Sequence, residues 1–320
     1  MTLNQKGNEW HFFAEGNTAR GSVHLLDSSL QDLERIYILK GGPGSGKSTL
    51  IRQISEQWSA KGYDVWLMHC ARDDNSLDGI VIPELKVGIV DGTWPHIIDP
   101  RMPGVVEQYV DLSPAWDRAL LSSRKSDFMR LFKLMDQRFE QAYAGFAEAL
   151  RVHDEWESVY INNMDFTAAD QLTEQTIHRL FGDCKQDRTP RVDRRFLGAA
   201  TPKGAIDFVP NLTSQLEKRY FLKGRPGSGK STMLKKLAAA AQQRGYDIEI
   251  YHCGFDPDSL DMIIVRELGF AVFDSTKPHE YDPEKDSDEI IDLYETCIRS
   301  GTDERYAEQI HDISARYSLA

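Results

Sequence analysis

An α/β fold with mostly parallel sheets, present in two copies with a helical segment after the first, is predicted by three observations. A glycine-rich loop occurs twice, each time between an apolar run and a helical pattern. The sequence around the loop is itself repeated. In both copies an apolar run ending in aspartate follows the loop at the same distance. The loops are Gly41-Gly42-Pro43-Gly44-Ser45-Gly46-Lys47-Ser48-Thr49 and Gly224-Arg225-Pro226-Gly227-Ser228-Gly229-Lys230-Ser231-Thr232. Both fit G-x-x-x-x-G-K-[ST], the phosphate-binding pattern. Ile36–Leu39 and Tyr220–Leu222 read as strands before them, and helices open at Lys47 and Lys230. Glycines let backbone N–H groups curl around an anion, and the helix N-terminus adds its dipole. The lysine neutralises phosphate charge, and Ser48 or Ser231 ligates Mg²⁺. Two P-loop NTPase domains are the expectation.

Lys47 and Lys230 stand 183 residues apart. At that offset Tyr37–Pro100 aligns with Tyr220–Pro283 without a gap, and 29 of the 64 positions are identical. Identities run far past the loop: Gly62-Tyr63-Asp64 with Gly245-Tyr246-Asp247, His69-Cys70 with His252-Cys253, Ser76-Leu77-Asp78 with Ser259-Leu260-Asp261, Glu84 with Glu267, and Pro95-His96 with Pro278-His279. The period is domain-sized, so this is a duplicated domain and not a solenoid.

In chain order, His11–Phe13 with Gly21–Leu25, and Arg195–Leu197 with Gly204–Phe208, read as β-hairpins. Short helices are expected at Ser28–Glu34 and Asn211–Lys218. The loop helices carry apolar stripes, Leu50, Ile51, Ile54, Trp58 and Met233, Leu234, Leu237, Ala241. Gly62 and Gly245 are helix stops. Strands follow at Val65–His69 and Ile248–His252, then at Gly79–Ile82 and Met262–Val265. The last, Val87–Asp91 and Phe270–Asp274, end on aspartates expected to hold Mg²⁺ in the Walker-B manner, the alternative being that each only caps a turn before Thr93 or Thr276. Strand–helix alternation with short loops implies the mostly parallel sheet.

Residues 113–182 differ in character. Ser113-Pro114 fits a helix start. Phe132, Met135, Phe139, Tyr143, Phe146 and Leu150 form a heptad-like seam. Thr167-Ala168-Ala169-Asp170 resembles a capping box, and Gly182 ends that helix. The segment reads as core helices or as an arm that docks a protein partner. Asp303–Tyr317 starts the same segment in the second copy. Counterparts of roughly 142–182 are missing before Ala320, as expected of a naturally shorter copy or of a truncated form. The polar stretch 183–190 marks a boundary. The organisation expected is a first P-loop domain at 1–112, a helical arm at 113–185 and a second P-loop domain at 186–320.

At 320 residues two domains are the natural count. The net charge of −12 disfavours sequence-independent nucleic-acid binding, which needs Lys and Arg. Met1–Trp10 has no basic-then-apolar signal pattern, and no apolar run reaches membrane-spanning length. A cytoplasmic location without membrane association is expected. Cys70, Cys184, Cys253 and Cys297 form no C-x-x-C pair, so reduced thiols are expected.

The two loops, the repeated His-Cys, the Ser-Leu-Asp segments and the Asp-x-Thr-x-Pro-His stretches together resemble a bacterial family of tandem P-loop ATPases associated with Firmicutes, spore formers among them. The resemblance covers nearly the whole chain and implies ATP binding and hydrolysis, with ATP and Mg²⁺ as cofactors. Members extend further at the C-terminus.

The candidate nucleotide-binding residues are Gly41, Gly44, Ser45, Gly46, Lys47, Ser48 and Thr49, with Gly224, Gly227, Ser228, Gly229, Lys230, Ser231 and Thr232. The metal ligands are Ser48 with Asp91 and Ser231 with Asp274. Catalysis falls to Lys47 and Lys230. Gly92 and Ser275 stand where many ATPases carry a catalytic glutamate. Glu84 and Glu267 are therefore candidate water-orienting bases, with turn carboxylates as the alternative. His96 and His279 are candidate γ-phosphate sensors, and Asp78 and Asp261 candidate substrate or Mg²⁺ ligands. His69-Cys70 and His252-Cys253 are poor metal dyads, because neighbours on a strand face opposite ways. Arg225, in place of Gly42, either stabilises transferring charge or sits in solvent. Three functions are compatible: an ATPase packed as an internal pseudo-dimer whose hydrolysis rearranges the lobes or the arm, a P-loop kinase, and a non-catalytic ATP-binding regulator. ATP is preferred over GTP because no N-K-x-D motif stands out.

Overall fold

The computed structural model describes residues 6–320. The chain is α/β and divides into two compact units. One holds the described residues up to Glu15 with His24–Ala142 and Thr201–Gly204; the other holds Gly16–Val23, Tyr143–Ala200 and Ala205–Ala320.

The chain opens with β1 (Glu9–Phe13), β2 (Glu15–Thr18), β3 (Gly21–His24) and the single turn α1 (Leu26–Ser29). Next come β4 (Arg35–Lys40), α2 (Lys47–Ser59), β5 (Val65–His69), β6 (Leu77–Ile82), β7 (Val87–Asp91) and β8 (Glu107–Asp111). The sheet order in this part is β8-β4-β7-β6-β5-β1. Strands β8, β7 and β4 pair in parallel, as do β5 and β1. Strand β6 is antiparallel to both its neighbours. The sheet is thus mostly parallel, as strand–helix alternation implied, and is made mixed by β6. The reason is connection length. A parallel return needs a crossover of a dozen or more residues, whereas the 3-10 turn Pro83–Leu85 joins β6 to β7 directly.

The expected hairpin at His11–Phe13 is also corrected. That stretch is β1, a sheet strand in parallel register with β5, and the hairpin is β2 with β3. The first short helix ends early, at Ser29, because Asp32 takes a left-handed conformation at φ 60°. Strand β4 buries Ile36, Ile38 and Leu39. Ile51 of α2 seals one face with Leu67, Leu77 and Ile80, flanked by Leu50, Ile54 and Trp58 of the predicted stripe.

After β8 come a 3-10 turn at Ser113–Ala115, α3 (Arg118–Ser123), the 37-residue α4 (Lys125–Ile161) and α5 (Phe166–Phe181). The cap of α3 is Asp117, not Ser113. The cap of α5 is Asp165, whose carboxylate accepts from Ala168 N at 3.0 Å, two residues before the predicted Thr167. Asparagine-like acceptors one residue ahead of the first turn are the usual solution for orphan N–H groups. The C-terminal half of α4 buries Val152, Val159 and Tyr160 against Ile298 and Ile313, as core.

The second sequence copy repeats the plan with β9 (Val192–Phe196), β10 (Gly198–Thr201), β11 (Gly204–Asp207), α6 (Val209–Thr213), β12 (Lys218–Lys223), α7 (Lys230–Gln243), β13 (Ile248–His252), β14 (Leu260–Val265), β15 (Phe270–Asp274) and β16 (Glu289–Asp292). Its order, β16-β12-β15-β14-β13-β9, matches the first strand for strand. Its last helices are α8 (Leu293–Cys297), α9 (Thr302–Arg305) and α10 (Ala307–Leu319). Among the described residues no helix is long and apolar enough to cross a membrane.

The cores differ in one respect. Glu249, buried in the second unit, accepts from Tyr251 Oη at 2.6 Å and from Arg266 Nε at 2.5 Å and Nη2 at 3.0 Å; Arg195 lies 3.8 Å away and is buried. The equivalent first-copy residues are Trp66, Met68, Pro83 and Phe12. Burial alone raises the Glu249 carboxyl, but Arg266 and Arg195 outweigh it and hold it below its ordinary value of 4.5. A lowered folded value means that the native state binds fewer protons than the unfolded one. The network's contribution is therefore present at neutral pH and lost as pH falls below the ordinary glutamate range. Glu249→Ala, read by denaturant unfolding at pH 7, is expected to cost about 3–5 kcal/mol because it removes the buried carboxylate that faces both Arg266 and Arg195. Replacing all four residues by their first-copy equivalents is expected to cost less than that single change.

Candidate functional site

Each glycine-rich loop leaves the C-terminal end of its central strand and enters a helix. Gly44 and Gly46 hold left-handed conformations at φ 76° and 85°, and Gly227 and Gly229 at 73° and 94°. A side chain is disfavoured there by roughly 1 kcal/mol or more per residue. A Cβ on Gly41 would sit 2.5 Å from Ser45 Oγ, and one on Gly224 would sit 2.3 Å from Ser228 Oγ. Gly46 and Gly229 are the N-caps of α2 and α7, and neither helix has a side-chain cap. The first-turn N–H groups are thus left for an anion. Ser45 Oγ and Ser228 Oγ are buried without a hydrogen-bond partner. Thr49 and Thr232 are exposed.

Lys47 is buried. Its Nζ donates to Gly41 O at 2.7 Å and Gly42 O at 3.0 Å, and lies 3.5 Å from Asp91 Oδ2. Lys230 Nζ donates to Arg225 O at 3.0 Å and lies 3.7 Å from Asp274 Oδ2. The other oxygen of each aspartate accepts from the backbone two residues on, Thr93 N at 2.8 Å and Thr276 N at 3.0 Å. The register that brings lysine and aspartate together is Leu39 opposite Asp91, and Leu222 opposite Asp274. Ser48 Oγ accepts from Leu77 N, and Ser231 Oγ from Leu260 N, each at 3.0 Å. Each hydroxyl thereby ties the loop helix to the strand bearing Asp78 or Asp261.

Glu84 and Glu267 are not brought to the loops. Both are exposed in the 3-10 turns before β7 and β15. Those strands run parallel to the loop strands, so their starts lie at the opposite edge, about 16 Å away for a five-residue strand. Each glutamate instead accepts from the N–H of the aspartate before the next sheet strand, Asp64 at 3.3 Å and Asp247 at 3.1 Å. The repeated glutamate is a turn carboxylate.

The carboxylates that do reach the loop edge are Asp78 and Asp261. Strand β6 is antiparallel, so its start faces the end of β7, with Gly79 opposite Val90. Burial is the main reason that both carboxyls are pushed up to about 6. His96 Nε2 lies 3.8 Å from Asp78, and His279 Nε2 4.0 Å from Asp261. Burial lowers both histidines, yet hydrogen bonds to Glu15 and to Asp207 outweigh it and leave them raised. His69 faces the other way, to His11 Nδ1 at 2.8 Å, and burial pushes it down to about 3.

Glu15, His24 and Asp207 were not legible as site residues. Glu15 has Gly198 as its second-copy counterpart, and His24 has Asp207, so the repeat carried no signal for them.

The two loops have different surroundings. Nothing lies within 4 Å of a Cβ built on Gly42, Gly44 or Gly46. In the second unit a Cβ on Gly227 would meet Glu157 O of α4 at 2.4 Å. Arg225 of the second loop is half-exposed to solvent. Its Nη2 pairs with Asp303 of α9 at 2.8 Å. A cavity of about 490 Å³ opens beside Gly41 and Gly42, lined also by Trp94, Ile97 and Trp116.

Comparison with family models, with curated proteins and with solved structures finds no match.

If Glu84 and Glu267 serve the turns alone, Glu84→Gln and Glu267→Gln are expected to leave nucleotide turnover within about twofold of the parent. A loss of two orders of magnitude in either would return them to the chemistry.

Proposed function

We propose that the chain is a tandem P-loop NTPase that binds Mg-ATP and hydrolyses it, akin to the bacterial ATPase family that its motifs resemble. The observation that carries this reading is the buried lysine behind an uncapped helix N-terminus, beside an aspartate on the adjacent parallel strand, in both copies. The oxygens of Ser48 and Asp91, and of Ser231 and Asp274, suit a hard cation such as Mg²⁺. Bound there, Mg²⁺ neutralises charge on the phosphates. The chain's own parts bind and orient. Lys47 exchanges its loop carbonyls for phosphate oxygens, and the α2 N–H groups hold the anion. The first loop, open around its glycines, is the working one. The second binds nucleotide and passes its state to α4 through the contact at Gly227.

A second reading is phosphoryl transfer to an acceptor. It is favoured by the tryptophan-lined cavity beside Gly41, which has room for a small molecule.

The test is steady-state phosphate release from Mg-ATP by the intact chain, Lys47→Ala and Lys230→Ala. Lys47→Ala is expected to lose about 100-fold or more, as for removal of a key transition-state charge partner, and Lys230→Ala much less. Equal turnover in all three overturns the assignment to these loops. Tight Mg-ATP binding with no phosphate release overturns hydrolysis and leaves transfer to an acceptor or a non-catalytic ATP-binding regulator.

A further inference from the structure

Beside the first loop lies a cluster that nucleotide binding does not use. Cys70 follows the end of β5, Asp78 stands near the start of β6, and His96 lies in the loop after β7. Their ligand atoms all fall within 4.8 Å of one another. The three backbones are fixed independently: Cys70 N donates to Ser76 O at 3.1 Å, and His96 N to Thr93 O at 2.8 Å. The buried carboxylate of Glu15 holds His96 at Nδ1. That leaves Nε2 facing Asp78 at 3.8 Å. A carboxylate on one ring nitrogen, with the other facing a second carboxylate in a cluster that also holds a thiol, is the arrangement by which metal-binding histidines are oriented.

We propose that Cys70, Asp78 and His96 form a three-ligand site for a transition-metal dication of the Zn²⁺ class, with Glu15 as its positioning residue and one coordination position left open. Thiolate and imidazole donors select such a borderline-soft ion over Mg²⁺ or Ca²⁺, which take oxygen. Metal–ligand bonds of about 2.0–2.2 Å place a tetrahedral imidazole–carboxylate pair roughly 3.3–3.6 Å apart, so Nε2 and Asp78 at 3.8 Å need close by only a few tenths of an ångström. Three protein ligands and an open position are the pattern of a reactive site and not of a closed structural one.

The second unit provides an internal control. Cys253, Asp261 and His279 recur there, but their ligand atoms are not drawn together to the same extent. The orienting group is Asp207, which accepts from His279 Nδ1 at 2.8 Å and from Tyr281 Oη at 2.7 Å. Tyr281 replaces Ile98 of the first copy, and Asp207 replaces His24. This closed hydrogen-bonded set has no need of an ion.

The test is titration of the metal-free full chain with Co²⁺, without nucleotide, followed by competition with Zn²⁺. One Co²⁺ per chain is expected, with a thiolate-to-cobalt charge-transfer band that Zn²⁺ removes. Cys70→Ser is expected to abolish the band, and Cys253→Ser to keep it. Glu15→Gln is expected to keep the band but weaken binding about 10–100-fold, as loss of an orienting carboxylate does. A band that survives in Cys70→Ser, or no binding by the folded parent, overturns the site. Should Cys70→Ser fail to fold by circular dichroism, His96→Gln carries the test, and unchanged affinity in it overturns the proposal. Nucleotide is absent throughout, so this result and that of the phosphate-release assay fall independently.

Discussion

The parallel pairing of β4 with β7 is the constraint on which the first site depends. It sets Leu39 opposite Asp91 and so delivers the aspartate to the edge from which the loop departs. Lys47, one helical residue beyond the left-handed Gly46, then has an acceptor at 3.5 Å as well as its own loop carbonyls. Slipping this register by one residue would turn Asp91 to the other face and put the core side chains of β7 into the wrong layer. Gly92 shows how tightly the pair is drawn. A Cβ there would lie 2.3 Å from Ile38 Cγ2 of the loop strand. The same pairing, β12 with β15, does the same for Lys230 and Asp274.

The direction of β6 then decides which further groups join. Because it runs against β7, its first residues share an edge with the last residues of β5 and β7. Asp78 therefore meets Cys70 and His96, while Glu84, at the other end of the same strand, is carried away from them. A six-residue strand separates a buried carboxylate at the edge of the glycine-rich loop from an exposed one that ties down a turn. Both were repeated in the two copies, so repetition alone had no means of ranking them. What ranks them is strand polarity.

Much of this was open to reading in the sequence, for physical reasons. Strands such as Val65–His69 and Val87–Asp91 are short, apolar up to a closing His69 or Asp91, and bounded by turn residues, which fixes their ends. The loops need glycine where φ is positive, and no other residue type answers that need as cheaply. Polarity of β6 was less legible. Its four-residue link to β7 carries the information, but an apolar run looks the same in either direction. The caps of α3 and α5 were misplaced because Ser113 and Thr167 are as good acceptors as Asp117 and Asp165, and tertiary packing chose between them. Glu15 gave no signal at all, since its partners come from His24, Arg72 and His96, distant in sequence and brought to it by the fold.

The second unit shows what one plan tolerates once a loop is packed from outside. Asp303 of α9 accepts from Tyr160 of α4 at 2.9 Å and from Arg225 of the loop at 2.8 Å. At Gly227 the backbone of α4 is so close that even a methyl group would collide with Glu157. Beside that contact α4 is held by its buried seam against Ile298 and Ile313. The first loop has no such neighbour within 4 Å of Gly42, Gly44 or Gly46. Two loops of one sequence pattern thus have different surroundings: one is open around its glycines, and the other is packed against the C-terminal half of α4.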